Sequence, residues 1–240
     1  MKLSFSLEKW YALSAGLANQ NDWLTWSHNE NHDWMLPLPK SQRIPMMQAR
    51  RMSEPSRLAV DVGLELINET KIDFAIFISR HGELERTYKI LTTLNNHVDV
   101  SPTDFALSVH NTASGLLTII AKQAIPISSI SANRDGFQQG LIEAQALLKQ
   151  GYNRILLIDF DGSLPNIYQT QVNSSVSAYA MGIILTPGNT ISIEATKKYS
   201  PQYQTQYPQS LAFLHGFLSK KQTFMLQGYF HDWQWTINHE

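Results

Sequence analysis

The order of apolar and polar positions divides the chain into short strands and amphipathic helices. Residues 3–14, LSFSLEKWYALS, alternate imperfectly and predict an edge strand. A polar, tryptophan-rich stretch follows at 19–34. After Pro45, residues 46–69 predict one helix, with Ala59, Val60, Val62, Leu64, Leu66 and Ile67 as its apolar residues and Asn68 as its stop. Residues 72–80, IDFAIFISR, form a continuous apolar run of strand length, the pattern of a parallel strand buried on both faces. Helices are expected at 84–97 and as one long element over 101–122. A strand is expected at 124–132, then a helix from Asp135 closed by Gly151, and a second buried strand at 153–161. Residues 175–188 and 189–197 predict an antiparallel pair turning at Pro187-Gly188-Asn189. A polar loop from Pro201, a short amphipathic helix at 210–221 and a closing hairpin at 223–237 complete the chain. Strand and helix alternate first and antiparallel strands follow, which defines an α/β layer fold with a mixed sheet in one domain over 1–240.

Composition narrows the classes. Of 240 residues, 43% are hydrophobic and only 16% charged, so the chain can bury a large core and carries a thinly charged surface of the kind a partner covers. The net charge of -1 advertises neither nucleic acid nor an anionic membrane, and the local basic run Arg43 to Arg51 reads as a solvated segment. With no cysteine there is no disulfide, zinc thiolate or thiol nucleophile. Glu8 and Lys9 interrupt the N-terminus, which does not read as a signal peptide, and no apolar run approaches a membrane span. A cytoplasmic protein is the expectation. The tryptophans Trp23, Trp26, Trp34, Trp233 and Trp235 lack the interleaved basic residues that base stacking needs and read as packing or partner contacts.

One stretch suggests an activity. ILLIDFDGSLP (155–165) reads like the nucleophile strand of a Mg²⁺-dependent phosphatase of the haloacid dehalogenase type, with Asp159 attacking phosphorus and Asp161 handling the leaving-group proton. Thr186 and Lys197 or Lys198 suit later motifs of that chemistry. The acid pair that completes its metal site is missing, since only Glu194, Asp232 and Glu240 follow Asp161. The alternative is a buried strand ending in an acidic turn.

A second similarity covers more of the chain. Ser101-Pro102, Phe105, Val109, Asn111 and Ser114-Gly115 match the SP..F...V.N..AG helix of β-ketoacyl-carrier-protein synthases; residues 126–131 match the strand leading to their nucleophile; Gly140, Ala144, Gly151 and RILLIDFD match the helix, loop and strand beyond it. The segment 72–162 thus resembles the N-terminal half of that family. The resemblance implies a thiolase-like half-fold, a mixed sheet with flanking helices, and it makes 155–161 a structural strand.

The departures imply the function. Counted without a gap from Asn111, Ser131 and Gly151, the family's cysteine position falls on Arg134. The two decarboxylation histidines belong to a second half, which the tail 201–240, with His215, His231 and His239, is too short to build. The chain is similar to chain-length factors, the inactive homologues that pair with an active ketosynthase, and its WQW ending resembles the small ketosynthase-like proteins of aryl polyene pathways. The resemblance implies a heterodimer with a full-length β-ketoacyl synthase, contact with acyl carrier protein through that complex, no cofactor and no metal. Interface and tunnel residues are expected at Phe105, Leu107, Val109, Asn111, Thr112, Ser114, Gly115, Leu116, Ile130, Arg134 and Phe137. Phe105, Leu107, Thr112 and Leu116 serve equally as ordinary core. Arg134 either meets a bound carrier arm or fills the vacated pocket and pairs with Asp135 or Glu143. His110 and Asn111 are expected mid-helix as capping or interface groups, and His81 in the loop after a strand. A stand-alone acyl-binding scaffold is the remaining alternative.

Overall fold

A computed structural model describes residues 1–29, 32–68, 70–169, 176–198 and 207–238. The chain opens with strand β1 (Lys2–Ser14), helices α1 (Gln20–His28), α2 (Met46–Ala49) and α3 (Glu54–Ile67), and strand β2 (Phe74–Ile78). Helices α4 (Leu84–Asn95), α5 (Pro102–Ala106) and α6 (Thr112–Ala121) precede strand β3 (Ile127–Ile130). A 3-10 turn at Asn133–Asp135 leads into α7 (Gly136–Lys149), followed by β4 (Ile155–Asp161), α8 (Asn166–Gln169) and β5 (Tyr179–Thr196). Helix α9 (Gln209–Leu218) and the hairpin β6 (Thr223–Leu226) and β7 (Asp232–Ile237) close it. The polar loop expected from Pro201 lies, up to Gln206, outside the described residues, as does His239.

The seven strands form one mixed sheet in the order β3-β2-β4-β5-β7-β6, with β1 added on β5. β2 pairs parallel with β3 and with β4, while β4, β7 and β1 all pair antiparallel with β5. Strand alternation sends the two faces to separate cores. Ala75, Phe77, Leu156 and Ile158 pack under α3 and α6. Ile76, Ile78, Ile155 and Leu157 pack with residues of α1, α7 and α9. The result is a three-layer mixed α/β fold, as the strand and helix order predicts.

Three local expectations change. The 187–189 turn does not make a hairpin. β5 runs on as one strand, and β1 follows it throughout, with Phe5 paired to Ile191 and Ser6 to Thr186, so the intervening residues bulge outward. Gly188 allows the close approach, since a Cβ there would lie 1.8 Å from Ser6 Oγ. The helix expected over 46–69 breaks between α2 and α3, where Ser53 caps the second piece through the Ser56 amide. The polar stretch 19–34 contains α1, started by a reciprocal Asn19–Asp22 capping box, and its Trp23 and Trp26 are buried.

Candidate partner interface

The expected long helix over 101–122 is two helices. Residues 107–111 form a corner in which Thr112 Oγ1 donates to Leu107 O (3.1 Å) and His110 Nε2 lies 2.9 Å from Ser79 O. His110 and Asn111 therefore stand at the corner, Asn111 exposed at the start of α6, rather than inside a helix. Ser114 is buried and its hydroxyl lies 3.2 Å from that of Ser129, which ties α6 to β3. One residue further, Gly115 faces open space, with nothing within 4 Å of a Cβ placed on it. β3 itself ends the sheet. It is bonded to β2 on one side only, which leaves the opposite row of backbone groups unpaired by any described strand.

Helices α4, α5 and α6 and the segments between them expose apolar side chains. Phe105 is 70% and Ile119 66% exposed, and Val109, Leu91, Leu94 and Val98 are more than half exposed or close to it. None of the twelve residues of α4 is buried, although Leu84, Tyr88, Leu91 and Leu94 recur at helical spacing. Charge holds α4 in place. Arg86 pairs with Glu83 (3.3 Å) and Asp104 (2.7 Å), Lys89 pairs with Asp104 (2.8 Å), and Arg86 also donates to Arg51 O (2.9 Å). The hydrogen bond from Lys89, helped by the charge of Arg86, holds the Asp104 carboxyl below its usual range. Glu83 is buried and accepts from the hydroxyls of Ser53 and Ser56.

The expected tunnel and interface residues fall in two groups. Phe105, Val109, Asn111 and Gly115 lie at or near the surface, with Leu107 half-buried. Thr112 and Ser114 are buried within the chain, Leu116 packs partly against the core under α3, and Ile130 packs partly on the opposite core. Phe137 is deep in that core, its ring stacked at 6.2 Å on Trp235.

At residues 133–135, where the resemblance leads one to expect the family's cysteine position, the chain makes a tight turn. Asn133 has φ +53, a left-handed value that asparagine tolerates, and half-buried Arg134 follows. Asp135 is engaged elsewhere than with Arg134. Its carboxylate accepts from Gln209 Nε2 (3.1 Å) and from the amides of Tyr229 (2.7 Å) and Phe230 (3.4 Å), which pins the 227–232 segment over the start of α7. Nothing in its position near a helix start reveals bonds to residues so far along the chain. Gly140 sets the helix against the sheet, since a Cβ there would lie 2.2 Å from Ile78 Cδ1.

The two acids of β4, Asp159 and Asp161, are structural groups. Asp159 is buried and accepts from the hydroxyls of Ser210 and Tyr179. Burial pushes its carboxyl up to about 7. Asp161 accepts from Ser79 Oγ (2.6 Å), Arg80 N (3.1 Å) and His81 N (2.9 Å), closing the turn after β2. Burial raises its carboxyl and lowers the His81 imidazole. The cleft at these strand ends, lined by Ser53, Pro55, His81, Glu83 and Gly162, has room for about one water. Among the described residues no cluster of acids, histidines or cysteines is arranged to hold a metal ion. Nothing here favours the phosphatase reading.

The sheet order, the paired cores and the turn before α7 define a ketosynthase-type, thiolase-like fold. The chain belongs to the β-ketoacyl synthase family, whose N-terminal domain matches residues 23–236. It is similar, at 39% identity and TM-score 0.92, to a chain in the complex of the ketosynthase ApeO with its chain length factor ApeC from Xenorhabdus doucetiae, covering 98% of this chain and 99% of that one. The ishigamide ketosynthase/chain length factor shares the fold at 13% identity and TM-score 0.63, over 82% of this chain and 68% of that one. A β-ketoacyl synthase from Burkholderia phymatum does so at 12% identity and TM-score 0.58, over 92% and 71%. No relative was found among curated protein sequences. Among the described residues no helix is long and apolar enough to cross a membrane.

Proposed function

We propose that this chain is a non-catalytic, chain-length-factor-type subunit that pairs one-to-one with an active β-ketoacyl synthase in the cytoplasm and forms one wall of the tunnel into which a polyene chain grows. The observation that carries the reading is the set of apolar side chains on α4, α5 and α6 that no described residue covers, in a chain whose β3, tied to α6 through Ser114 and Ser129, is an unpaired sheet edge among the described strands. An exposed patch of this kind marks a protein contact. In a family that dimerises about a twofold axis, a homologue without a nucleophile replaces one copy and keeps the self-complementary surface. The similar chain from the Xenorhabdus ketosynthase and chain length factor complex matches this one over nearly its whole length, whereas the ishigamide chain matches over 68% of its own.

Arg134 supports the non-catalytic role. Condensing enzymes use a thiolate lowered by the helix dipole at this position; an arginine cannot attack a thioester. The partner supplies the cysteine and both histidines, and the acyl carrier protein delivers to the pair. The test is acyl transfer. Incubated alone with malonyl- and acyl-carrier protein, the chain is expected to form no acyl adduct by intact mass and no condensation product. Added to the ketosynthase, it is expected to switch on synthesis of the full-length chain. A stable acyl group on this chain contradicts the proposal.

A further inference from the structure

From Leu84 to Asn111 no residue is buried. Among the described residues neither core takes a side chain from this segment, although apolar residues recur along it. Its two helices are tied to each other by charge, since Asp104 of α5 accepts from Arg86 (2.7 Å) and Lys89 (2.8 Å) of α4. The ties to the rest of the chain are mostly polar and gathered at its base. Arg86 donates to Arg51 O (2.9 Å) and pairs with buried Glu83 (3.3 Å), whose carboxylate accepts from Ser53 and Ser56. His110 Nε2 donates to Ser79 O (2.9 Å), just past β2. The His110 ring also lies against Gly82, where a Cβ would come within 2.9 Å of His110 Cδ2. His110 thus bridges the point where the segment leaves the sheet and the point where it returns. Away from this base, Tyr88 meets Tyr168 of α8 edge-on, ring centroids 6.5 Å apart. Both ends have room to turn. Gly82 has φ +54, a left-handed value open to glycine, and 107–111 is the corner between α5 and α6.

We infer that residues 84–111 form a hinged flap, clasped at its base by His110 and Arg86, that opens and closes as one body about Gly82 and the 107–111 corner while the sheet stays folded. A segment with few buried apolar contacts opens locally at a far lower free energy than the core. Hinges of this kind are a few positions at element ends that absorb the change in φ and ψ. The pairs that Asp104 makes with Arg86 and Lys89 couple α4 to α5. Helices of twelve and five residues do not persist alone, so each opening releases the amides of both. Helix α6 stands apart from the flap, because its Ala113 and Leu117 are buried in the core it shares with α3. One consequence rests on the pairing proposed above: the apolar side chains of α4 and α5 are the adjustable part of the surface that the ketosynthase covers, and α6 is the fixed part. The flap itself does not rest on that pairing.

The test is native-state hydrogen exchange on the full chain alone, read by mass spectrometry, with β4 as the internal reference. In the wild type, α4 and α5 are expected to show one common protection factor, at least about a hundredfold below that of β4. Arg86→Met removes the shared anchor and is expected to speed exchange in both helices by the same factor, about tenfold, with β4 unchanged. His110→Ala is expected to speed both by about fivefold, and His110→Gln, whose amide still has a donor for Ser79 O, to recover most of the loss. Unchanged β4 exchange shows that a variant is folded; if β4 speeds up as well, the wild-type comparison decides alone. No ketosynthase is present, so the result is separate from that of the acyl-transfer test. The inference is overturned if α4 and α5 of the wild type differ in protection, if both are protected like β4, if Arg86→Met speeds α4 alone, or if His110→Ala leaves both helices unchanged.

Discussion

Strand β4 and helix α4 are extremes of one molecule. Ile155 to Phe160 of β4 are all buried, down to the carboxyl of Asp159 under Ser210 and Tyr179. In α4 no residue is buried, and what fixes it is the cluster of Arg86, Lys89, Glu83 and Asp104. Partly exposed ion pairs contribute little to stability, about 0 to 1 kcal/mol each. They do set the direction in which an uncovered apolar stripe points. Folding energy is thus concentrated in the β2–β4–β5 sheet and its cores, while the apolar side chains of α4 add little to it and stay uncovered among the described residues.

Changes on the two sides are expected to separate stability from assembly. The largest effect belongs to Gly115→Arg. The chain alone has open space there and keeps its fold, but an arginine buried without a partner in the heterodimer costs about 3 to 5 kcal/mol and is expected to abolish the complex on sizing. Ser114→Arg, one residue away, strikes a buried position and is expected to unfold the isolated chain as well, which calorimetry distinguishes. On the β4 side, the Asp159 carboxyl sits at about 7 in the fold against 3.8 when unfolded, because burial disfavours its charge. The folded chain then holds a proton the unfolded chain has lost. The stability this contributes is present below about pH 4 and disappears as pH rises through 7, a change of about 2 to 4 kcal/mol. Asp159→Asn, whose amide oxygen still accepts from Ser210 and Tyr179, is expected to remove that slope in denaturant titrations from pH 4 to 8 and to leave pathway activity nearly intact. Next is Gly140→Ala, whose Cβ meets Ile78 at 2.2 Å and which is expected to cost the isolated chain about 1 to 3 kcal/mol with no separate effect on the interface. The smallest effect is that of Leu94→Ser. It is expected to leave the melting temperature of the chain alone unchanged and to weaken the complex by about 1 kcal/mol.

The same contrast explains what the sequence made legible. The runs at β2 and β4 are apolar without interruption because both faces are covered, and such runs are read directly. Glycines 136 and 140 mark the close contact of α7 with Ile78 for the same reason. The interface region is harder. Residues 107–111 have nothing that forbids a helix; the break depends on His110 reaching Ser79 and Thr112 reaching Leu107, contacts set by tertiary structure. At Pro187-Gly188-Asn189, composition reads as a turn, yet pairing with β1 keeps β5 continuous through a bulge. The amphipathic pattern of α4 is plain in the sequence, but only the fold shows that nothing within the described chain covers it. Asp135 is the residue the sequence reading missed, because its partners are donors from α9 and the turn before β7.

The most direct test coexpresses the chain with the ketosynthase of its pathway and combines sizing with hydrogen exchange. The account predicts a one-to-one complex at micromolar concentration, with new protection in α4, α5, α6 and β3 and none added in β4 or β5, which are buried already. Separate elution of the two chains, or protection that appears on the β6–β7 hairpin while α4 to α6 exchange as in the free chain, would contradict it.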